Sequence, residues 1–228
     1  MGATAQASVA TSDAKRRGEV NARVATAERT RPAGRSLSSE KARRIVEAMR
    51  RSVARRGTAG STFDQVSREA GVSRGLLHYY FGTKEQLLVE AVRLECELRL
   101  QQLEQQLASA QTAHDYVDLM AQNLRQTVGE DPDFVTLVFE LFTLSRRNED
   151  IAAEFAGLMS RTREHLSQML AMAQDEGVLH LHAEPDAVAD TLFSLADGLA
   201  IRMLAEPERD FAPTIAAAIA AARALLTD

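Results

Sequence analysis

Residues 62–87 read TFDQVSREAGVSRGLLHYYFGTKEQL and decide the fold, because they hold several helix signals close together. Thr62 and Gln65 have the spacing of a capping box, in which two residues satisfy each other's free polar groups at a helix start. Gly71 suits the left-handed conformation in which helices often end, and Ser73 offers a hydroxyl to the free amides of a second helix. The stretch therefore predicts two short helices joined by a tight turn.

The second short helix has one apolar and one polar side. At about 100° per residue, Leu77 and Phe81 fall together on the side that faces the core. The other side carries a guanidinium, an imidazole, an aromatic ring and a small residue, which are Arg74, His78, Tyr79 and Gly75. These groups suit base edges and phosphates in a major groove, so we expect the helix to read DNA.

Residues 39–90 resemble the DNA-binding domain of the TetR family of bacterial repressors. The resemblance is carried by the pattern T-x-x-x-V-x-x-x-A-G-V-S-x-G-x-L-x-x-Y-F-x-x-K-E-x-L, which begins at Thr62. It implies base contacts near Arg74, Gly75, Leu76 and His78. It implies phosphate contacts near Thr62, Ser73, Tyr79, Tyr80 and Lys84. Position 78, which is often Tyr in this family, is His here.

The charge distribution supports a nucleic-acid partner. Residues 1–86 carry 17 Lys and Arg against 8 Asp and Glu, whereas residues 87–228 carry 10 against 24. A basic segment attracts double-stranded DNA, and an acidic segment is repelled by it. The alternative is that the basic side chains only solvate an exposed helix.

Length and composition bound the class of protein. With 228 residues and 45% hydrophobic content, the chain can bury a sizeable core. No apolar run approaches the roughly 18 residues of a membrane span, and the N-terminus lacks the apolar core of a signal peptide, so we expect no membrane contact and a cytoplasmic location. The single Cys96 is interpreted as a structural thiol, with a redox switch as the alternative.

The chain divides into three parts. Residues 1–36 have no apolar period and are expected to form a disordered basic tail, which is either an arm that contacts DNA or a passive extension. Residues 37–86 form the helix-turn-helix domain, whose first helix has an apolar stripe and many Arg and Lys side chains that are expected to contact the DNA backbone. Residues 87–228 are expected to be a helical ligand-binding and dimerisation domain, entered through a long helix that starts at Thr83. The predicted fold class is therefore all-α.

The last two predicted helices, 185–205 and 211–226, each carry an apolar stripe. In the TetR family the corresponding helices form a four-helix interface between two subunits, so the resemblance implies a homodimer. The expected interface residues are Leu192, Leu195, Leu199, Ile215, Ile219 and Ala222. The alternative is a monomer that uses both stripes for its own core.

The middle helices are rich in aromatic residues and Met. Most of these side chains are expected to be core, but family members hold an inducer in this region, which implies a small-molecule effector. The predicted pocket residues are Met120, Leu124, Phe139, Phe142, Phe155 and Met159. Polar groups that could orient a ligand are Asn123, Glu140, Arg163 and His165.

Enzymatic and metal-binding functions have little support. No nucleophile elbow, phosphate-binding glycine loop or paired Cys spacing occurs, and the His180–His182 pair lacks other ligands nearby. We therefore expect no catalytic residue, cofactor or metal. The interpretation favoured is a homodimeric repressor released from a near-palindromic operator by an apolar or amphipathic small molecule. The alternative is an architectural or protein-interaction factor that binds DNA without an effector.

Overall fold

The computed structural model describes residues 39–227, and every regular element in that part of the chain is helical. In chain order the elements are α1 (Ser39–Gly60), α2 (Phe63–Ala70), α3 (Arg74–Phe81), α4 (Lys84–Leu107), α5 (Ala113–Arg125), a π-helical turn (Gln126–Glu130), α6 (Pro132–Ser145), α7 (Glu149–Asp175), α8 (Pro185–Ala205) and α9 (Ala212–Leu226). The prediction of an all-α fold is confirmed. The tail predicted for residues 1–36 lies outside the described residues. None of the helices within 39–227 is long and apolar enough to cross a membrane.

The helix-turn-helix forms through the local contacts that its sequence predicts. The Thr62 hydroxyl accepts from the Gln65 amide at 3.3 Å, and the Gln65 side chain accepts from the Thr62 amide at 3.1 Å. Gly71 follows α2 with a φ of 64°, and the Ser73 hydroxyl accepts from the Leu76 amide at 3.2 Å. Because these caps fix where the helices start and stop, α2 and α3 are 8 residues long each.

α1 braces the two short helices through its apolar stripe. Met49 and Val53 of this stripe are buried in one cluster with Leu77 of α3. Gly57 interrupts the helix with a φ of 65°, and one further turn follows. Burial of each large apolar side chain contributes about 1.5–3 kcal/mol, so the stripe is a main source of stability for the helix-turn-helix.

The first core cluster continues across the predicted domain boundary between residues 86 and 87. It joins buried side chains of α1 to α4 with Phe134, Leu137 and Leu141 of α6 and with Leu158 of α7. The helix-turn-helix therefore packs directly on α6 and α7.

Two further clusters complete the core. The second joins α4, α5, α7, α8 and α9, with Leu170 and Leu226 completely buried. The third is smaller and joins the π-helical turn, α6, α8 and α9 through Val128, Val135 and Leu199. α4, with 24 residues, contributes to the first and second clusters and so links the helix-turn-helix to the acidic part of the chain.

Candidate nucleic-acid interface and regulatory region

α3 places its predicted DNA-contacting side chains on the outside. Arg74, Gly75 and His78 are exposed and Tyr79 is 54% exposed, whereas Leu77 is completely buried. A Cβ atom added at Gly75 would meet nothing within 4 Å. The outer surface of α3 is therefore open to a close partner.

The other predicted contact residues border this surface. Thr62 and Ser73 are exposed at the N-termini of α2 and α3, where free backbone amides favour a phosphate. Leu76 and Tyr80 are half-buried, and the Tyr80 ring meets the Tyr79 ring edge-on at 5.1 Å. The contacts of these residues with DNA stay predictions.

His78 is held on three sides. Arg74 Nε donates to His78 Nε2 at 3.4 Å, and His78 Nδ1 lies 3.4 Å from the carbonyl oxygen of Gly82. The imidazole meets the ring of Phe63 edge-on, with ring centres 4.6 Å apart. The side chain is thus part of a small network at the outer surface of α3.

Lys84 has a partner inside the protein. Its Nζ donates to the carbonyl oxygen of Thr58 at 3.0 Å. The amide and the hydroxyl of Thr58 donate to Glu140 of α6 at 3.2 and 2.5 Å. This contact, named here the Thr58 junction, joins α1, α4 and α6. The sequence predicts that Lys84 contacts a phosphate and that Glu140 orients a ligand. No local pattern indicates that both side chains contact Thr58.

A second polar contact joins the same three helices at Asp131, the residue before α6. Its carboxylate accepts from Arg50 of α1 at 2.7 and 2.8 Å, from Arg99 of α4, and from the Phe134 amide at 3.1 Å. The Arg99 guanidinium also lies 4.0 Å from the centre of the Phe134 ring. We name this contact the Asp131 junction. Arg50, one of the α1 arginines expected to contact the DNA backbone, thus binds the residue before α6 instead.

The charges at the Asp131 junction influence one another. Burial acts to lower the pKa of Arg50 but is outweighed by the hydrogen bond to Glu47 and the charge of Asp131, so the pKa is raised. Burial raises the pKa of Glu95, against the opposing effects of Arg99 and Arg50. An open cavity of about 550 Å³ beside the junction is lined by Arg50, Arg99, Gln126, Glu130, Asp131, Pro132 and Asp133.

Part of the basic surface of α1 is neutralised by α2. The Glu69 carboxylate lies 3.3 Å from Arg56, 3.8 Å from Arg51 and 4.0 Å from Arg55. One carboxylate thus groups three of the arginines that were expected to contact DNA. Their positive charge exceeds that of Glu69, so the surface next to α2 stays basic.

The six predicted pocket residues lie in different clusters. Phe155 and Met159 pack on the first cluster, Met120 packs on the second, and Leu124 and Phe139 pack on the third. Phe142 is 47% exposed, and its ring centre is 5.9 Å from that of Phe155. None of the six residues lines the cavity beside the Asp131 junction or a second, smaller cleft between α4 and α7. The structure therefore does not gather them around either space.

A cleft of about 220 Å³ lies between α4 and α7. Its lining residues are Cys96, Glu97, Leu100, Gln101, Leu158, Arg161, Thr162 and His165. His165 was predicted as a polar group for a ligand and does line this cleft, whereas Arg163 is paired with Asp186 at 2.9 Å. Burial raises the pKa of the Cys96 thiol to about 12, which favours the structural interpretation of this residue.

Most of the residues predicted for the dimer interface pack within the single chain. Leu192 belongs to the second core cluster and Leu199 to the third, while Ile215 and Ala222 pack against these clusters. Leu195 and Ile219 are half-buried. Leu192 and Leu199 thus contribute to the core of the single chain, and the role of all six residues in a dimer interface stays a prediction.

The outer side of the last two helices has a different composition. On α8, Ile201 and Leu204 are 53% and 38% exposed. The outer side of α9 consists mostly of alanine, with Ala216, Ala217, Ala220, Ala221 and Ala224 exposed. Small side chains permit a partner helix to approach closely.

Within residues 39–227 no three His, Cys, Asp or Glu side chains are grouped in a way that holds a metal ion. The rings of His180 and His182 pack edge-on at 5.6 Å, and His182 Nε2 lies 3.2 Å from the carbonyl oxygen of Thr227. The backbone amide of His180 donates to the carbonyl of Leu226 at 3.1 Å. The segment thus holds the C-terminal end of α9 in place.

Two family models match the chain. Residues 45–91 match the bacterial regulatory proteins of the tetR family. Residues 113–228, just over half of the chain, match the C-terminal part of the BetI-type transcriptional repressors.

Individual proteins give the same result. The HTH-type transcriptional regulator PksA of Bacillus subtilis is 27% identical over 177 residues, which is 77% of this chain and 84% of PksA. A TetR-family regulator from Rhodococcus sp. superposes with a TM-score of 0.71 at 23% identity, over 83% of this chain and 100% of that one. A transcriptional regulator from Saccharomonospora viridis in complex with choline gives a TM-score of 0.62 at 24% identity, over 82% of this chain and 95% of that one. At these identities the two structures support the fold.

The helix-turn-helix and these matches define a DNA-binding transcriptional regulator. The chain belongs to the TetR family of bacterial regulatory proteins, whose members are regulators and not enzymes.

Proposed function

We propose that the chain is a repressor that binds a near-palindromic operator as a cytoplasmic homodimer and releases it when a small molecule binds. The observation that carries this proposal is the outward surface of α3, where Arg74, Gly75 and His78 are exposed on a helix fixed by the buried Leu77. Arginine in this position suits guanine, and glycine admits the DNA backbone or a base edge. The match to BetI-type repressors supports repression as the outcome.

Affinity is proposed to come from charge. Lys41, Arg43 and Arg44 of α1 are exposed, and the arginines grouped around Glu69 add further positive charge. Such contacts bind any DNA sequence and weaken as salt rises. Specificity is then the task of α3.

Dimerisation is proposed to use the outer side of α8 and α9. Exposed Ile201 and Leu204 supply apolar surface, and the exposed alanines of α9 permit close packing of the two copies. A two-fold dimer of this kind places two copies of α3 about 34 Å apart, which is one turn of DNA. That spacing requires an operator with two similar halves.

The effector is proposed to bind among α4 to α8. The cleft between α4 and α7 is one entry point, and the predicted pocket residue Met159, which packs on the first cluster, remains a proposal. Tyr116 marks a second position, because it is 3% exposed and its hydroxyl has no hydrogen-bond partner among the described residues. A buried hydroxyl without a partner is costly, and a polar ligand atom or water there would relieve the cost. The predicted pocket residues Met120, Leu124, Phe139, Phe142 and Phe155 remain proposals.

Choline is the first compound to test. The regulator from S. viridis holds choline, and the C-terminal part of this chain matches the BetI type. Apolar and amphipathic compounds form the second group, because the helices around the cleft are rich in Leu, Met and Phe.

Signal transfer is proposed to run through α6. The Thr58 and Asp131 junctions fix α6 to α1 at two points, and at each point a cation of α4 joins the contact. A ligand that moves α6 must therefore change the position of the helix-turn-helix or break these contacts. A change in the spacing of the two α3 helices would release the operator.

The test has two stages. Bound DNA is first selected from a random pool, and the selected operator is then titrated with protein in the absence and presence of choline and of apolar compounds. The proposal expects at least one compound to weaken operator binding and to raise the melting temperature of the protein. If operator binding is specific but no compound changes either quantity, the alternative of a DNA-binding factor without an effector is favoured.

A further inference from the structure

Both ring nitrogens of His78 have partners within the helix-turn-helix. Nε2 lies 3.4 Å from Arg74 Nε, and Nδ1 lies 3.4 Å from the carbonyl oxygen of Gly82. A guanidinium only donates and a carbonyl only accepts. The two partners therefore place the hydrogen on Nδ1 and the accepting electron pair on Nε2.

The ring is fixed in this orientation by its surroundings. Its edge-on contact with Phe63 has an angle of 81° between the ring planes. Gly82 ends α3 with a φ of 70°, and its amide donates to the carbonyl of His78 at 3.0 Å, so the Gly82 carbonyl has a defined place at the helix end. The imidazole of His78 is thus oriented by two contacts, one with the ring of Phe63 and one with the carbonyl oxygen of Gly82.

Arg74 is oriented by this imidazole. The bond from Nε uses the side edge of the guanidinium and leaves the two terminal nitrogens, Nη1 and Nη2, for a partner. Those two nitrogens match the O6 and N7 acceptors of guanine. A long side chain that is already oriented loses less conformational freedom when it binds.

We infer that His78 is a positioning residue, which sets operator specificity by orienting Arg74 and not by reading a base of its own. The inference rests on the proposed function, in which α3 reads the operator. Both ring nitrogens of His78 have partners within the protein. A contact between His78 and a base would therefore break its bond to Arg74 or to the carbonyl oxygen of Gly82.

Three variants separate the possible roles. Arg74→Ala removes the proposed base contact. His78→Phe keeps an aromatic ring against Phe63 but has no acceptor for Arg74, whereas His78→Gln keeps an acceptor at a similar distance from the backbone. Each variant, and the double variant Arg74→Ala/His78→Phe, is titrated with the selected operator and with a set of operators that each differ by one base pair.

Arg74→Ala should abolish discrimination at one base pair in each half-site, a loss of about 5- to 150-fold. His78→Phe should weaken discrimination at the same base pair by about 2- to 10-fold, with no effect at other positions. His78→Gln should retain most of the discrimination, and the double variant should match Arg74→Ala alone.

Four results would overturn the inference. A loss at a different base pair after His78→Phe would show that His78 reads its own base. Equal loss on all sequences would reduce His78 to a general contact or a structural residue, as would a double variant with additive losses. If Arg74→Ala changes discrimination nowhere, the proposed reading by α3 fails together with the inference.

Discussion

Asp131→Asn tests the contact that joins the helix-turn-helix to α6. The amide keeps an oxygen that can accept from the Phe134 amide, which Asp131 now does at 3.1 Å. It removes the negative charge shared by Arg50 of α1 and Arg99 of α4. The substitution thus weakens the junction and preserves the helix cap, because Asn is as good as Asp at an N-cap.

The size of the effect follows from exposure and from the remaining partners. Arg50 and Asp131 are 21% and 23% exposed, which places the pair between surface pairs worth up to about 1 kcal/mol and buried pairs whose disruption costs about 3–5 kcal/mol. Arg50 keeps Glu47 at 3.0 Å, and Arg99 keeps Glu95 at 3.7 Å. We therefore expect the free energy of unfolding to fall by about 2 kcal/mol.

Urea denaturation of both proteins measures this loss, and two controls define its cause. Asp133→Asn changes a carboxylate that lines the same cavity and should change stability by less than about 0.5 kcal/mol. In a double-mutant cycle with Arg50→Met, the two losses should differ from additivity by about 1 kcal/mol. An additive cycle, or a loss as small as that of the control, would show that the Asp131 junction does not couple the helices.

Three further predictions concern other positions. Gly75→Ala should raise the free energy of unfolding by about 0.5–1 kcal/mol in thermal or urea denaturation, because the site is helical and open. The same variant should weaken operator binding. Gly57→Ala, at a φ of 65°, should instead lower the free energy of unfolding by about 1–2 kcal/mol. Ile201→Glu should convert dimers to monomers in sedimentation and weaken operator binding by at least about 10-fold. The control Met172→Glu, at a position on α7 that is 62% exposed, should do neither. Unchanged dimers after Ile201→Glu would show that the interface lies elsewhere. Burial raises the pKa of Cys96 from 9.0 to about 12, so the unfolded state loses the thiol proton at lower pH than the folded state. The contribution of this thiol to the free energy of unfolding should therefore fall as pH rises between those values. Urea denaturation at several pH values should show a smaller fall for Cys96→Ala.

Short-range features of the chain were predictable because their partners lie a few residues apart. The caps at Thr62, Ser73 and Thr83 depend on residues three positions ahead, and each bond is present. The burial of Leu77 follows from helical period alone. The exposed side of α3, which is the candidate DNA-reading surface, was predictable for the same reason.

Contacts between distant residues were not predictable. Arg50 and Asp131 are 81 positions apart, and no pattern in α1 distinguishes an arginine that faces DNA from one that faces α6. The same limit applies to Leu192, since helical period shows an apolar stripe but does not show which helix covers it. The aromatic residues of α6 and α7 were recognised as packing residues, but their division among three clusters depends on how the helices are arranged in space.

The most direct test of the account is the DNA that the intact chain and its Arg74→Ala variant select from a random pool. The intact chain should enrich one near-palindromic sequence whose halves are centred about 10 base pairs apart. The variant should enrich the same sequence with one base pair in each half left undetermined. No enrichment by the intact chain, or enrichment of a single half-site without a repeat, would contradict the account of a dimeric DNA reader built on α3.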